Sequence, residues 1–381
     1  MSAPLNLGIV GLGRGFVLTA PSLRAHPEIR LVAAADLRPE ARAAFAAEFN
    51  AAAYPESDAL FADANVNAVY IAAPTATHAS LAIAAARAGK HVLVDKPMAL
   101  SSAECRTMID AAKAAGVKLV VGPSHASDAP IAHAADIIAG GVFGAPRFIT
   151  ALNATDFIYR PRRPNELAEE GALVSQAPHH IDIVRRLANA DIASVRAVAG
   201  DWDRARPATG AYAAFISFAN GVAATLTYSG YAHYDADELM ENVSELGFPK
   251  SAAHGAARRA LQRQTELDAK ERRGFGGPDA RSLEAPPHHE HFGFLLVQCE
   301  RGDLRLTPDG VWIYADDERR FQALQPPIAG RFAAIDAFVQ AVRGRSDPLF
   351  DGVWGLHTLL ACEAMARSSR EAREITLPGP C

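Results

Sequence analysis

The sequence predicts an α/β protein in two parts: strands alternating with helices in a parallel sheet, then longer strands in runs that form an open, mainly antiparallel sheet. Three observations carry this. Short apolar runs and helical stretches alternate from Leu5 to Gly122, which requires right-handed crossovers between parallel neighbours. Beyond Gly140-Gly141 the alternation gives way to strand-like runs joined by turn signals, Asn220-Gly221 the strongest of them. At 381 residues the chain exceeds one ordinary core, and about 150 residues per domain suggests two or three.

Taken in order, Leu5–Val10 is a short apolar strand running directly into Gly11-Leu12-Gly13-Arg14-Gly15-Phe16 and then a helix through Arg24. Gly11 makes the tight turn, and Gly13 lets backbone approach a pyrophosphate at the positive end of the helix. The usual third glycine position holds Phe16, with Gly15 one place early, so this cluster alone also fits a plain strand-to-helix turn. The next strand, Leu31 to Ala35, ends in Asp36, 23 residues beyond Gly13. An acid there accepts hydrogen bonds from the adenosine ribose hydroxyls and repels a 2′-phosphate. NAD is therefore expected over NADP, with Arg38 the residue able to reach a phosphate. The coupled pattern defines a Rossmann dinucleotide-binding domain over residues 1–123, with Gly11, Gly13, Arg14, Gly15, Phe16, Asp36 and Arg38 as expected cofactor contacts.

Strands Ala68 to Ala72, His91 to Val94 and Leu119 to Gly122 follow, with helices Thr77 to Ala88 and Ser102 to Ala115, the second capped by Ser101 with Glu104 reaching back. Ligands of such sheets lie outside the carboxyl ends of the strands, which places Pro74, Thr75, His78, Asp95, Lys96 and Pro97 along one crevice as cofactor contacts. Lys96 is one of six lysines in an arginine-rich chain, and against an apolar wall a lysine can become a useful acid or base. Asp95-Lys96-Pro97 also fits a simple turn from strand to helix.

Gly11-Leu12-Gly13, Ala73-Pro74-Thr75-Ala76-Thr77-His78 and the run Gly89 to Ala99 containing Asp95-Lys96-Pro97 resemble the Gfo/Idh/MocA oxidoreductase family, and the resemblance covers essentially the whole chain. It implies an NAD(P)-binding Rossmann domain followed by an α/β domain with an open, mainly antiparallel sheet. It further implies that Lys96 lies near nicotinamide and substrate and that the Lys96-Pro97 bond is cis. Asp95 stands where the family usually has glutamate, a one-carbon retreat that keeps the charge.

The remainder, residues 124–381, reads as a substrate-binding and oligomerisation domain. A helix from Asp128 to Ala139 precedes strands Arg147 to Asn153, Ser194 to Gly200, Ala211 to Phe218 and Val222 to Tyr228, and a later meander of Phe292 to Cys299, Asp303 to Leu306 and Val311 to Tyr314. Between the early strands, Pro178 suits the first turn of a helix, on which His179, Asp182 and Arg186 share one face. On the residues alone this is an exposed acid-arginine pair with two incidental histidines. The resemblance instead implies that His179 faces nicotinamide and substrate, with Asp182 three residues on. Ser175 stands where the family's sugar and cyclitol dehydrogenases carry aspartate, which speaks against an Asp-assisted polyol mechanism.

Arg160, Arg162 and Arg163 lie between prolines, suited to bidentate recognition of a carboxylate or, alternatively, to a solvated basic loop. This loop, Ser175-Gln176 and Tyr228-Ser229-Gly230-Tyr231 resemble the family's phthalate 4,5-dihydrodiol dehydrogenase branch, which implies Arg160, Arg162, Arg163, Ser175, Gln176, Asp182 and Tyr231 as substrate contacts. Residues 250–290 read as a polar insertion with a helix from Ala252 to Arg273, serving as lid, dimer arm or plain excursion. His288-His289-Glu290-His291 lies at a loop-to-strand junction without helical spacing, so no metal is expected. The last helices, Arg331 to Val342 and Asp351 to Arg367, are packing elements.

Net charge −5 and pI near 6.2 provide no basic field for nucleic acid or membrane. Cys105, Cys299, Cys362 and Cys381 show no close pairing, which fits a reducing cytoplasm, and no apolar run approaches the length of a membrane span. A homodimer or homotetramer is expected. Together these readings point to an NAD-dependent dehydrogenase oxidising a secondary carbinol of a cyclic substrate such as a carboxylated cis-dihydrodiol, with His179 or Lys96 accepting the hydroxyl proton. A histidine at a helix N-terminus is expected to stay neutral near pH 7. A dihydrodiol's ketone product can tautomerise to a catechol, and that aromatisation lessens the acid-base machinery needed. The rivals are a sugar, inositol or amino-sugar dehydrogenase of the same family and a non-catalytic NAD-binding sensor, against which Lys96 and His179 argue.

Overall fold

The computed structural model describes residues 3–161, 171–250, 254–263, 265–280 and 285–378; Arg162 and Arg163 lie outside them. The chain forms two compact units. One comprises Met1–Pro123, Leu267–Ala285 and Ile328–Leu359, the other Ser124–Glu266, Pro286–Pro327 and Leu360–Cys381.

In the first unit β1 (Leu5–Val10), β2 (Ile29–Ala35), β3 (Ala52–Tyr54), β4 (Ala68–Ile71), β5 (His91–Val94) and β6 (Leu119–Val121) form a parallel sheet in the order β3-β2-β1-β4-β5-β6. All four residues of β4 are buried, because helices on both faces leave no solvent side and select continuous apolar runs. The capping box at Ser101 forms as expected: Ser101 N–H donates to Glu104 Oε2 (3.0 Å) and Glu104 N–H to Ser101 Oγ (3.3 Å). Strand β3 and the helices Pro39–Phe49 and Ser57–Ala62 have no counterpart among the expected elements. Alanines dominate Pro39–Phe49, so little apolar periodicity marks its buried face.

Two late segments complete this core. Phe275, within the stretch read as a polar insertion, packs its ring 5.2 Å from that of Phe16 and donates its N–H to Leu12 O (3.0 Å). Ile335, Phe338 and Val339 of the helix Phe332–Val342 are fully buried in the same cluster. Instead of one helix from Ala252 to Arg273, the insertion shows Ala256–Leu261 and Glu266–Arg272. The first buries no residue, and without an apolar face nothing sustains a long helix.

The second unit is built on a sheet of β7 (Pro146–Ala154), β8 (Ile192–Gly200), β9 (Ala211–Phe218), β10 (Ala223–Ser229), β11 (Phe294–Cys299), β12 (Gly302–Thr307), β13 (Gly310–Tyr314), β14 (Arg319–Ala323) and β15 (Ile375–Thr376). Its order is β14-β13-β12-β11-β7-β10-β9-β8-β15, and among the described pairings only β7 with β10 is parallel. Asn220-Gly221 closes the β9–β10 hairpin with Gly221 at φ +85°. Edge strand β14, absent from the sequence reading, is mostly exposed and carries Arg319 and Arg320, charges that blunt a sheet edge. The helix Ala177–Ala188 begins with Pro178 in its first turn and packs on β7 and β10.

Candidate active site

In the first unit the turn after β1 requires glycine twice. Gly11 has φ +91°, and a Cβ there would sit 2.9 Å from the backbone of Ala72, a conformation and an approach that side chains do not tolerate. At Gly15 a Cβ would lie 2.5 Å from Asp95 Oδ2, so the displaced third glycine makes room for the Asp95 carboxylate at the start of the helix Arg14–Ala25, where the helix dipole favours an anion. At Gly13, the extended residue that opens this helix, a Cβ would meet nothing within 4 Å. That open space beside backbone N–H groups is the cradle a pyrophosphate needs.

Asp36 stands at the end of β2 as the ribose acceptor would. Its Oδ2 accepts the Leu12 N–H (2.7 Å) and its Oδ1 the Arg38 N–H and Nε–H (2.8 and 3.1 Å). Arg38 also donates to Leu12 O (2.8 Å), so its guanidinium is folded back onto Asp36. These residues fit an NAD nucleotide. Pro74 is exposed and Thr75 buried in the one-turn helix Thr75–Thr77 that follows β4.

Several expected cofactor contacts have other partners. Phe16 is wholly buried among Phe45, Phe49 and Phe275, so its side chain packs the core. His78 is buried with Nδ1 2.9 Å from Pro97 O and Nε2 2.9 Å from Ala73 O. It ties the loop after β4 to the loop after β5. Asp95 Oδ1 accepts the Lys96 N–H (2.8 Å) and Oδ2 the Tyr70 hydroxyl (3.0 Å); burial and then this carboxylate push Tyr70 well above the usual phenol range. Asp95 thus positions the Lys96 backbone, and Lys96-Pro97 is cis.

In the second unit His179 occupies the first turn of Ala177–Ala188. Its ring lies 4.6 Å edge-on from that of His125 and 4.8 Å from Phe292. The expected common face of this helix exists, with a different task from an exposed ion pair. Asp182 accepts the Ser124 hydroxyl (2.8 Å) and Arg186 donates to Ala126 O, so both grip the turn Ser124–Asp128 that carries His125. His125 Nδ1 is 2.7 Å from Asp128 Oδ2. His180 is fully buried, with Nδ1 2.9 Å from the Tyr212 hydroxyl; burial and then the nearby His125 drive it down to about 3. His125 and Asp128 are not among the site residues expected from the sequence. The available signal was Ser124-His125-Ala126-Ser127-Asp128, a capped turn directly after a strand end.

Other expected substrate contacts are occupied. Arg160 Nε is 3.3 Å from Asp156 Oδ1 and its NH1 3.0 Å from Glu245 Oε2. Burial works against its charge, but Glu245 and Asp156 outweigh it and hold the guanidinium charged. A cation with two carboxylates of its own is not a free clamp for a substrate carboxylate. Ser175 Oγ donates to Gly171 O (3.1 Å), closing its own helical turn, and Gln176 is buried at the junction with the next helix. Tyr231 donates its hydroxyl to Ala208 O and packs its ring 4.9 Å from Trp202, which makes it a packing residue.

Residues 5–123 match the profile of the oxidoreductase family with an NAD-binding Rossmann fold, and residues 131–246 match the GFO/IDH/MocA C-terminal domain. The chain is 38% identical over 377 residues to the 1-carboxy-3-chloro-3,4-dihydroxycyclohexa-1,5-diene dehydrogenase of Comamonas testosteroni, covering 96% of this chain and 95% of that one. The chain belongs to the Gfo/Idh/MocA oxidoreductase family. A solved structure from Bordetella bronchiseptica RB50 superposes with a TM-score of 0.93 at 36% identity, covering 98% of this chain and all of that one. The WlbA dehydrogenase of Bordetella pertussis, solved with NADH and UDP-GlcNAcA, shares the fold at a TM-score of 0.69 and 22% identity, covering 98% and 99% of the two chains. As a member of this family the chain is an NAD-dependent oxidoreductase. Among the described residues no helix is long and apolar enough to cross a membrane.

Proposed function

We propose that this enzyme oxidises a secondary carbinol of a carboxylated cyclic cis-dihydrodiol, with Lys96 and His179 as its catalytic residues. The observation that carries the reading is the whole-chain likeness to a dehydrogenase of a carboxylated, chlorinated dihydroxycyclohexadiene. Two features agree with it. Ser175, whose hydroxyl serves its own helix, replaces the carboxylate of the sugar-oxidising branch, and a dihydrodiol product that can aromatise needs less proton-transfer help than a polyol. NAD, when bound, supplies the hydride acceptor. The chain's part is to seat it on the Gly11–Gly15 turn and to take up the hydroxyl proton, for which His179 is held by its helix against His125 and Phe292. Arg160, paired with Glu245 and Asp156, does not supply a partner for the substrate's acid group. Screening NADH formation against cis-dihydrodiol carboxylates, their uncharged analogues, inositols and sugar acids decides it: preference for inositol or sugar overturns the dihydrodiol.

The same reading includes a homodimer or homotetramer built on the open face of the second sheet, where Val198 and Phe215 are 61% and 44% exposed. It includes a cytoplasmic location, to which Cys105, Cys299 and Cys362, none of them in a disulfide, are suited.

A further inference from the structure

We propose that the second unit carries a divalent transition-metal site formed by His125, Asp128 and Glu290. One ligating atom of each lies within 4.8 Å of the others. Asp128 and Glu290 are 7% and 6% exposed and the His125 side chain 10%. Donor atoms sharing a metal at bonds of about 2.0–2.2 Å stand roughly 3 Å apart, and His125 Nδ1 and Asp128 Oδ2 are already at 2.7 Å.

Charge adds to this case. Two carboxylates this close, out of water, disfavour each other's ionised form. Arg186, which donates to Ala126 O, adds its positive charge near Asp128, while Arg160 is bound to Glu245 and Asp156 and Lys250 to Asp235 and Asp237. A divalent ion answers both carboxylates at once. One imidazole and two carboxylates suit zinc or manganese and not the thiolate-seeking metals.

The surroundings are those of a built site. Asp182 and Arg186 pin the turn that carries His125 and Asp128, and Phe292, two residues after Glu290, stacks 5.3 Å from the His125 ring. Such outer partners fix the orientation of metal ligands. His180, wholly buried against the same Phe292, has an Nε2 without a hydrogen-bond partner, so polar capacity is left over beside the cluster. Of the run His288-His289-Glu290-His291, only Glu290 takes part. His288 faces Asp309 (2.7 Å), His289 the Gln325 carbonyl (2.9 Å), and His291 donates to Val243 O (2.9 Å). Three protein ligands leave coordination positions open, where the ion can act as a Lewis acid on a substrate oxygen. That role rests on the dehydrogenase reading; the binding of the ion does not.

The test is calorimetric titration of EDTA-stripped full-length protein with zinc sulfate, repeated with manganese chloride. A single saturable site per chain is expected for one or both metals. Glu290→Gln and His125→Asn should each weaken it by at least about a hundredfold, while the His288→Ala/His289→Ala double variant should keep the affinity of the parent. NAD binding and circular dichroism report folding, and Asp128→Asn replaces any ligand variant that does not fold. Absence of saturable binding of either metal, or affinities within roughly threefold of the parent in the ligand variants, overturns the site. Stoichiometric metal without oxidation of any dihydrodiol upholds it and overturns the proposed substrate instead.

Discussion

The dinucleotide turn of the first unit and the histidine cluster of the second are both polar sites, assembled in opposite ways. Gly11 to Gly15 is one stretch of backbone whose function lies in what its residues lack: a Cβ at Gly11 or Gly15 would collide with Ala72 or Asp95, and one at Gly13 would fill the cradle. The cluster depends on side chains. His125 and Asp128 lie 51 residues or more from His179, and His179 lies 111 from Glu290, yet His125 meets Asp128, His179 and Phe292 directly. A site built from contiguous backbone tolerates drift elsewhere in the chain, whereas a site built from converging side chains depends on every element between them.

The sharpest way to break this comparison is at the side chains expected to handle the proton. Lys96→Ala and His179→Ala should each lower kcat by roughly a hundredfold or more while NAD affinity stays within a few-fold, as steady-state kinetics and NAD titration would show. A variant with parental turnover removes its residue from the mechanism. The backbone site should fail in the reverse sense. Gly11→Ala forces an L-residue to φ +91° against Ala72, which costs about 1–2 kcal/mol in backbone strain alone. Both the melting temperature and NAD affinity should drop, the latter by about tenfold or more. Unchanged NAD binding in Gly11→Ala would mean the turn is not the cradle.

How much was legible follows from the same contrast. The Gly11–Gly15 turn, Asp36, the capping box at Ser101 and the β9–β10 hairpin depend on neighbours in sequence, and each appears where local chemistry puts it. Long-range partners are where the reading diverged. Phe16 looked like part of a phosphate loop because Phe45, Phe49 and Phe275 cannot be seen from its position. Arg160 looked like a free clamp because Glu245 lies 85 residues away. His125, Asp128 and Glu290 showed no metal-ligand spacing because no single helix or hairpin carries all three.

Cofactor choice sharpens the comparison on the first unit's side. With Asp36 accepting from Leu12 and with Arg38 folded back onto it, NAD should bind at least tenfold more tightly than NADP, a difference of about 1.4 kcal/mol. Asp36→Ala should bring the two towards parity by freeing Arg38 for a 2′-phosphate. Equal affinities in the parent protein would show that Arg38 already prevails over the acid.

The smallest expected effect tests whether Arg160 belongs to substrate recognition or to the scaffold. Burial opposes the charge on Glu245, but Arg160 and then His125 outweigh it and lower the carboxyl from its ordinary 4.5 to about 2. A carboxyl whose folded pKa is depressed adds stability that is fully present above pH 4.5 and is lost as pH falls towards 2. Arg160→Ala should therefore show a lower melting temperature than the parent at pH 6 and be less stable by about 1 kcal/mol. That falls short of the roughly 3–5 kcal/mol for breaking a wholly buried pair, because solvent screens this one: the Arg160 side chain is 34% exposed. The gap should narrow as pH falls to 3, since the unfolded chain then takes up the proton that the folded parent's Glu245 still refuses. Asp237 runs the other way, its carboxyl raised to about 6 by burial and by Glu245, so it gains stability as pH falls from 6. That contribution is largely common to the two proteins and drops out of most of the difference. In kinetics, kcat/KM for a carboxylated substrate and for its uncharged analogue should fall together, if at all. A loss confined to the carboxylated substrate, with no pH-dependent gap in melting temperature, would return Arg160 to the substrate.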